Sequence, residues 1–258
     1  MRPEHDIIIN AELCDRCGKC FADCPDNVIR MTSEAAEYNG QFCVRCGHCV
    51  AICPKGAVTI TGYDDPPEAL GQNGAVDPDA LLALIKARRS MRQFTKKDVP
   101  PDVIAKIIEA GRFAPTGGNK QGVSFAVIRD EIDSCERIAM DVVRRLLPKL
   151  GEFNPYIKNL EIGDHFLFKG APVVIVVKSV DVIDGALAAS LMEIMAQSLG
   201  LGVLYSGFFT MAINESDELK RLLEVTDVDK VVTTMVVGDP GARYLRTAQR
   251  ESARVTFV

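Results

Sequence analysis

The apolar positions of this chain change their period along its length. Near the N-terminus they come in two short runs rich in β-branched residues, Asn27-Val-Ile-Arg-Met31 and Ala57-Val-Thr-Ile-Thr61, which predict two short strands. From Gly62 to Pro78 (GYDDPPEALGQNGAVDP) the period dissolves into Gly, Pro, Asp and Asn, the composition of a linker. A helical spacing follows. Leu81, Leu82, Leu84 and Ile85 share one face of a helix that starts near Asp79 and runs into the basic stretch Arg88-Arg-Ser-Met-Arg92. A second helix runs from Pro100-Pro101 through Val103, Ile104, Ile107 and Ile108 to about Phe113.

The loop Ala114-Pro-Thr-Gly-Gly-Asn-Lys-Gln121 cannot stay helical, and Val123 to Ile128 reads as a strand. Residues 131–150 have an amphipathic helical pattern, whereas 151–170 show no clear period. Pro172-Val-Val-Ile-Val-Val177 has no polar interruption, as expected of a central strand buried on both faces. A long helix is predicted from Asp184, as N-cap, to about Leu199, with Leu187, Leu191, Ile194, Met195 and Leu199 on one stripe. Its alanines allow another helix to approach closely. Lys230 to Val237 is a further buried strand, closed by Gly238-Asp-Pro-Gly241, and Arg254 to Val258 a short final one. The order after the linker is that of an α+β or α/β domain.

Cysteine changes this picture most. CDRCGKCFADCP at Cys14 to Pro25 and CVRCGHCVAICP at Cys43 to Pro54 are two copies of C-x-x-C-x-x-C-x-x-x-C-P, offset by 29 residues. Three thiolates two residues apart can each reach a different iron of one cubane, while the fourth, before proline, turns to the other cluster. One [4Fe–4S] cluster then takes Cys14, Cys17, Cys20 and Cys53, and the other Cys43, Cys46, Cys49 and Cys24. Zinc would leave the third cysteine of each run without a task, and a disulfide framework suits a small secreted chain rather than one of 258 residues. These residues resemble the bacterial two-cluster ferredoxins from about Ile7 to Thr61.

Length and charge add limits. A ferredoxin-sized segment leaves about 200 residues for a second core. The domains expected are 1–62, a linker at 63–78, and 79–258. A net charge of −5 argues against nucleic-acid binding. The opening MRPEHDIIINAE has acidic residues where a signal peptide would be apolar, and Glu193 and Gln197 interrupt the long apolar region. A cytoplasmic protein without membrane contact is expected.

The run Arg88-Arg-Ser-Met-Arg92 could clamp a phosphate or simply end a helix in solvent. Followed in order by the loop 114–121, by the alanine-rich helix ending Leu199-Gly-Leu-Gly202, and by the tail from Gly238 to Arg250, it resembles the FMN-dependent nitroreductase family over about 79–258. The resemblance implies a three-layer α/β/α domain after the small two-cluster domain, hence α+β overall. It implies that Arg88, Arg89, Ser90 and Arg92 hold the FMN phosphate and ribityl chain. Thr116, Asn119 and Gln121 belong to the loop facing the ring or the substrate, and Arg246 and Arg250 close over the phosphate. Ser206 and Gly207 bring backbone amides toward the ring. It also implies a homodimer, with the helix from Asp184 as interface.

The chain departs from the family where Gly122 and Val123 follow the loop glutamine, and where Ser206 stands in place of a glutamate found in some members. Outside these motifs, Cys135 is an unpaired ninth cysteine, His48 sits among cluster ligands, and His5 and His165 have no metal-ligand spacing. Gly200-Leu-Gly-Val-Leu-Tyr-Ser-Gly207 lacks the third glycine of a dinucleotide loop. The expectation is an enzyme that accepts electrons from an external low-potential donor or NAD(P)H and reduces a small-molecule acceptor, either a nitroaromatic, a quinone or another unsaturated compound. A non-enzymatic electron carrier or redox sensor, with a second domain that docks a partner, is the alternative.

Overall fold

A computed structural model of the chain describes residues 5–70, 76–152 and 154–258. The chain forms two compact units. One holds the described residues up to 70 together with 116–120, the other 76–115 and 121–258. Of the expected linker, 71–75 lie outside the described residues.

The first unit is built twice. Strand β1 (Ile7–Ile9), helix α1 (Lys19–Ala22), strands β2 (Ile29–Met31) and β3 (Ala36–Tyr38), helix α2 (His48–Ala51) and strand β4 (Val58–Ile60) follow in order. β1 pairs antiparallel with β4, and β2 with β3. The copies share their unusual backbone: φ is positive at Arg16 and Arg45, at Gly18 and Gly47, and at Asn27 and Gly56, each pair 29 residues apart. Gly18 and Gly47, at φ 72° and 75°, are the N-caps of α1 and α2, a left-handed conformation that disfavours a Cβ. β1 and β3 were not foreseen. Three residues are too few to show alternation, and β3 takes its place only by pairing with β2.

The second unit has three layers. Its elements are α3 (Pro78–Ala87), α4 (Pro101–Arg112), β5 (Val123–Ile128), α5 (Ile132–Gly151), α6 (Pro155–Lys158), β6 (Val173–Ser179), α7 (Val182–Ser198), β7 (Gly202–Tyr205), α8 (Gly207–Asn214), α9 (Asp217–Leu222) and β8 (Lys230–Gly238). The sheet order is β5-β6-β8-β7, with every neighbouring pair antiparallel. All seven residues of β6 are buried. Val174 and Val176 face a core shared with α5 and α8, through Val143 and Phe209. Val173, Ile175 and Val177 face a second core shared with α4 and α7, through Ile107 and Met192. Strand alternation thus feeds two helical layers at once.

Four sequence expectations change. The helix expected near Asp79 starts at Pro78, because the Asp77 side chain caps it by accepting from Asp79 N. It buries none of its residues, and Leu81, Leu82 and Ile85 remain 38–46% exposed. The cap of α7 is Asp181, which accepts from Ile183 N, and Asp184 lies buried in the first turn instead. The α7 stripe is displaced as well. The buried face carries Gly185, Ala188, Ala189, Met192 and Ala196, while Leu187 and Leu191 are exposed. Close packing on the sheet and α4 selects small residues. The predicted strand at Arg254–Val258 is irregular and exposed, since none of its residues pairs with a strand among the described residues.

Candidate functional site

The eight grid cysteines surround two small cavities in the first unit. Cys14, Cys17, Cys20 and Cys53 line one, with Gly18 and Ala36. Cys24, Cys43, Cys46 and Cys49 line the other, with Asp26 and His48. The crossing of the fourth cysteine follows from the duplication, since β1 and β4 clamp the ends of the unit together. None of the nine cysteines is in a disulfide. Backbone N–H groups point at the sulfurs: Ala36 N to Cys14 Sγ at 3.5 Å, Arg45 N to Cys43 Sγ at 3.2 Å and Ala57 N to Cys53 Sγ at 3.3 Å. Such donors stabilise thiolate charge. Burial pushes the Cys49 thiol up to about 11, and those of Cys20 and Cys43 up as well. Four soft donors around a cavity, rather than converging on a point, fit a cubane with one thiolate per iron.

In the second unit a cavity of about 420 Å³ is lined by Arg88, Arg89, Glu193, Gln197, Arg243 and Tyr244, among others. Its wall is the segment 90–95, held like an extra strand. Ser90 bridges Val203 in parallel fashion, Met91 N donates to Val203 O at 2.8 Å, and Thr95 N donates to Asp239 O at 2.9 Å. Gly202 permits this, because a Cβ there would lie 2.6 Å from Met91 Cγ. Arg89 Nη1 donates to Arg88 O at 2.6 Å, but Arg89 Nη2 is a buried donor with no partner among the described residues. A buried guanidinium nitrogen without an acceptor fits an anion. Arg88 differs. Its Nη1 pairs with Glu193 Oε1 at 3.1 Å, and the other carboxylate oxygen meets Tyr205 Oη at 3.2 Å. Burial, with Glu193 adjacent, drives the Tyr205 phenol far above its usual range, so it stays protonated.

The remaining predicted residues lie in several places. Arg92 is exposed and reaches only Ser90 O, at 3.5 Å. Asn119, in the first unit with Thr116, donates to the carbonyls of Val44 and Arg45 at 3.3 and 2.7 Å. Gln121, exposed, has φ 49°. Ser206 is buried, and its N–H is taken by Thr234 O. Gly207 opens α8, where the first N–H groups have no helical acceptor, and nothing lies within 4 Å of the place its Cβ would occupy. Arg246 and Arg250 are exposed in the tail. Of the predicted residues, only Arg88 and Arg89 line the cavity. Glu193 and Tyr205 were missed. The available signal was Glu193 itself, an acid in the middle of a mostly apolar helix whose other acid, Asp184, lies in the first turn. His5 Nδ1 lies 2.6 Å from Thr61 O, and His165 Nδ1 3.5 Å from Glu136 Oε2, both within structural contacts. Cys135 is buried in α5.

A duplicated four-cysteine unit joined in one chain to a three-layer domain with an anion-accepting cavity is the build of an electron-transferring oxidoreductase. Comparison with known proteins makes this specific. Residues 85–239 match the model of the nitroreductase family and residues 6–54 that of a 4Fe-4S dicluster domain. The chain belongs to the nitroreductase family, with a two-cluster ferredoxin domain ahead of the family domain. It is 27% identical over 186 residues to a Methanothermobacter thermautotrophicus protein named for NADH dehydrogenase and NAD(P)H nitroreductase activity, covering 67% of this chain and 86% of that one. It is 27% identical over 169 residues to the Bacillus subtilis FMN reductase (NADPH), of which it spans 65%, with 62% of this chain covered. The solved structure of an FMN-dependent nitroreductase from Clostridium difficile R20291 superposes with a TM-score of 0.57 at 22% identity, covering 70% of this chain and all of that one. The last match establishes the fold. Among the described residues, no helix is long and apolar enough to cross a membrane.

Proposed function

We propose that this chain takes electrons one at a time through its two clusters and passes them in pairs, through a bound FMN, to a small unsaturated acceptor such as a nitroaromatic or a quinone. Cys14, Cys17, Cys20 and Cys53 hold one cluster and Cys43, Cys46, Cys49 and Cys24 the other. The carrying observation is the cavity of about 420 Å³ lined by Arg88, Arg89 and Arg243 in a nitroreductase-family domain. When bound, the clusters supply single-electron transfer and the flavin supplies hydride transfer.

The protein's own groups do the rest. Arg89 offers a buried charged donor to a phosphate, and the 90–95 segment is fixed by its bonds to Val203 and Asp239. Gly207 leaves the start of α8 open to close approach, so its N–H can serve an electron-rich ring edge. Arg92, Arg246 and Arg250, exposed at the surface, add cationic steering for an anionic ligand. The donor is NAD(P)H or a low-potential protein, and the cytoplasm, where thiols stay reduced, is the compartment that suits such clusters.

A second copy of the chain completes the molecule. Ile183, Leu187 and Leu191 lie exposed on α7, and Leu81, Leu82 and Ile85 on α3, which packs beside it. An apolar surface of this kind marks an association site. Anaerobic purification with iron, sulfide and flavin analysis, followed by re-oxidation of the reduced protein with a panel of acceptors, tests the reading. Eight irons with FMN and rapid turnover of at least one acceptor class is the expected result. Eight irons with no flavin would leave an electron carrier and sink the enzyme.

A further inference from the structure

The duplication of the first unit offers an internal comparison, because each position of one cluster loop has a counterpart 29 residues on. In the first copy Asp15, Arg16 and Cys17 are exposed, whereas their counterparts Val44, Arg45 and Cys46 are half-buried. Part of the difference has a source outside the repeat. Residues 116–120 belong to the first unit, although α4 and β5 of the second flank them in the chain. From this segment Asn119 Nδ2 donates to Arg45 O at 2.7 Å and to Val44 O at 3.3 Å. Gly118 and Asn119, at φ 57° and 50°, make the left-handed turn that carries it, a backbone that asparagine tolerates.

The peptide held in this way touches a cluster ligand. Val44 O and Arg45 N are the two ends of one peptide group, and Arg45 N donates to Cys43 Sγ at 3.2 Å. A carbonyl that accepts a hydrogen bond makes the N–H of its own peptide a stronger donor. On the other side of Val44, its N–H donates to Asp26 Oδ2 at 2.7 Å, which fixes the loop from behind. The matching peptide of the first copy, Asp15–Arg16, makes neither contact among the described residues, and Cys14 Sγ takes Ala36 N instead, at 3.5 Å. One sulfur of a symmetric pair thus feels a side chain from outside the repeat.

We infer that Asn119 is a positioning residue for the cluster of Cys43, Cys46, Cys49 and Cys24: by polarising the Val44–Arg45 peptide it strengthens the N–H bond to Cys43 and raises the reduction potential of that cluster, leaving the other unchanged. The inference rests on the two-cluster reading proposed above. Donors to a ligating sulfur favour the reduced cluster, which carries the extra negative charge. The contact uses Nδ2, so it is compatible with the ring-facing role that the resemblance implies for this loop. A segment assigned by its sequence to the flavin side therefore also sets how readily one cluster gives up its electron.

The test uses the full chain, prepared anaerobically with its clusters, and an EPR-monitored redox titration of the parent and of N119G, N119D, D26N and D15N. N119G keeps the left-handed backbone and removes only the side chain. Asp26 and Asp15 each line one of the two cysteine cavities, so neutralising them labels the two potentials. D26N and D15N are expected to raise one potential each, and different ones. N119G is expected to lower the potential that D26N raises, by about twofold to tenfold in the one-electron equilibrium, the scale of one hydrogen bond. N119D, which turns a carboxylate toward the two carbonyls, should lower it further. An N119G chain with both potentials unmoved, or with its shift in the potential that D15N labels, overturns the assignment. Iron content separates the two levels of inference. Eight irons with unmoved potentials defeat Asn119 alone, whereas a parent chain that takes up no iron defeats the two-cluster reading and the inference with it.

Discussion

The two units reach a folded state by different means. In the first, the described residues form a cluster of six buried side chains, Ile7, Cys20, Ile29, Ala36, Cys49 and Val58, with further cysteines packed against them and few other buried residues such as Val28. In the second, 18 buried residues fill one side of the sheet and 12 the other. A segment as short as the first cannot bury enough apolar surface to offset its chain entropy, and two of its core positions, Cys20 and Cys49, are among the cluster ligands proposed above. Iron is thus part of its core, whereas the second unit is held by hydrocarbon. Cofactor loss and core truncation should therefore act on different halves of the molecule.

The largest effect should come from removing iron. Chelation under denaturant-free conditions, or Cys49→Ala, is expected to unfold the first unit while the second keeps its protection. Limited proteolysis with mass spectrometry reads this directly, and equal protection of 5–62 before and after chelation breaks the contrast. Next in size is Phe209→Ala, which empties a fully buried site between α8 and the sheet; it should cost about 3–5 kcal/mol in the second unit and leave the cluster spectrum unchanged. Gly185→Ala should cost less, about 1–3 kcal/mol. Its new Cβ would lie 2.5 Å from Val232 Cγ2, and a β-branched neighbour yields poorly. Denaturation curves of the second unit check both.

The smallest effect concerns pH. Burial pushes the Cys135 thiol from 9.0 up to about 11. Because the folded value is the higher one, its contribution is complete below pH 9 and is lost as pH rises through about 11. Stability of the second unit should fall over that window, and Cys135→Ala should flatten the fall. An unchanged slope would assign the loss to other groups.

The cysteine grid was legible because ligand chemistry admits few spacings, and β6 because an uninterrupted β-branched run has few other uses. The helices α4 and α5 followed from their period. What escaped depends on neighbours. β7 is four residues long and gains its identity from pairing with β8. The leucine stripe of α7 suggested its buried face, yet the sheet and α4 accept only the small face, because Gly111 on α4 comes so close that a Cβ there would lie 2.7 Å from Met192 Sδ. In the candidate site the arginine run was visible as a motif. That Arg88 is paired with an acid depends on Glu193, 105 positions away in the chain.

The repeated backbone of the first unit has a redox consequence. With left-handed residues at matching places in both copies, the loops present their clusters to nearly the same frame of peptide dipoles. Apart from the Asn119 contact, the polypeptide therefore contributes alike to both midpoint potentials. Any other gap between them must come from positions where the copies diverge, such as Asp15 against Val44, Lys19 against His48 and Asp26 against Lys55. The duplication is in this sense a built-in control: making those side chains the same in both copies should move the two potentials toward each other, and exchanging them between copies should reverse the direction of electron flow between the clusters.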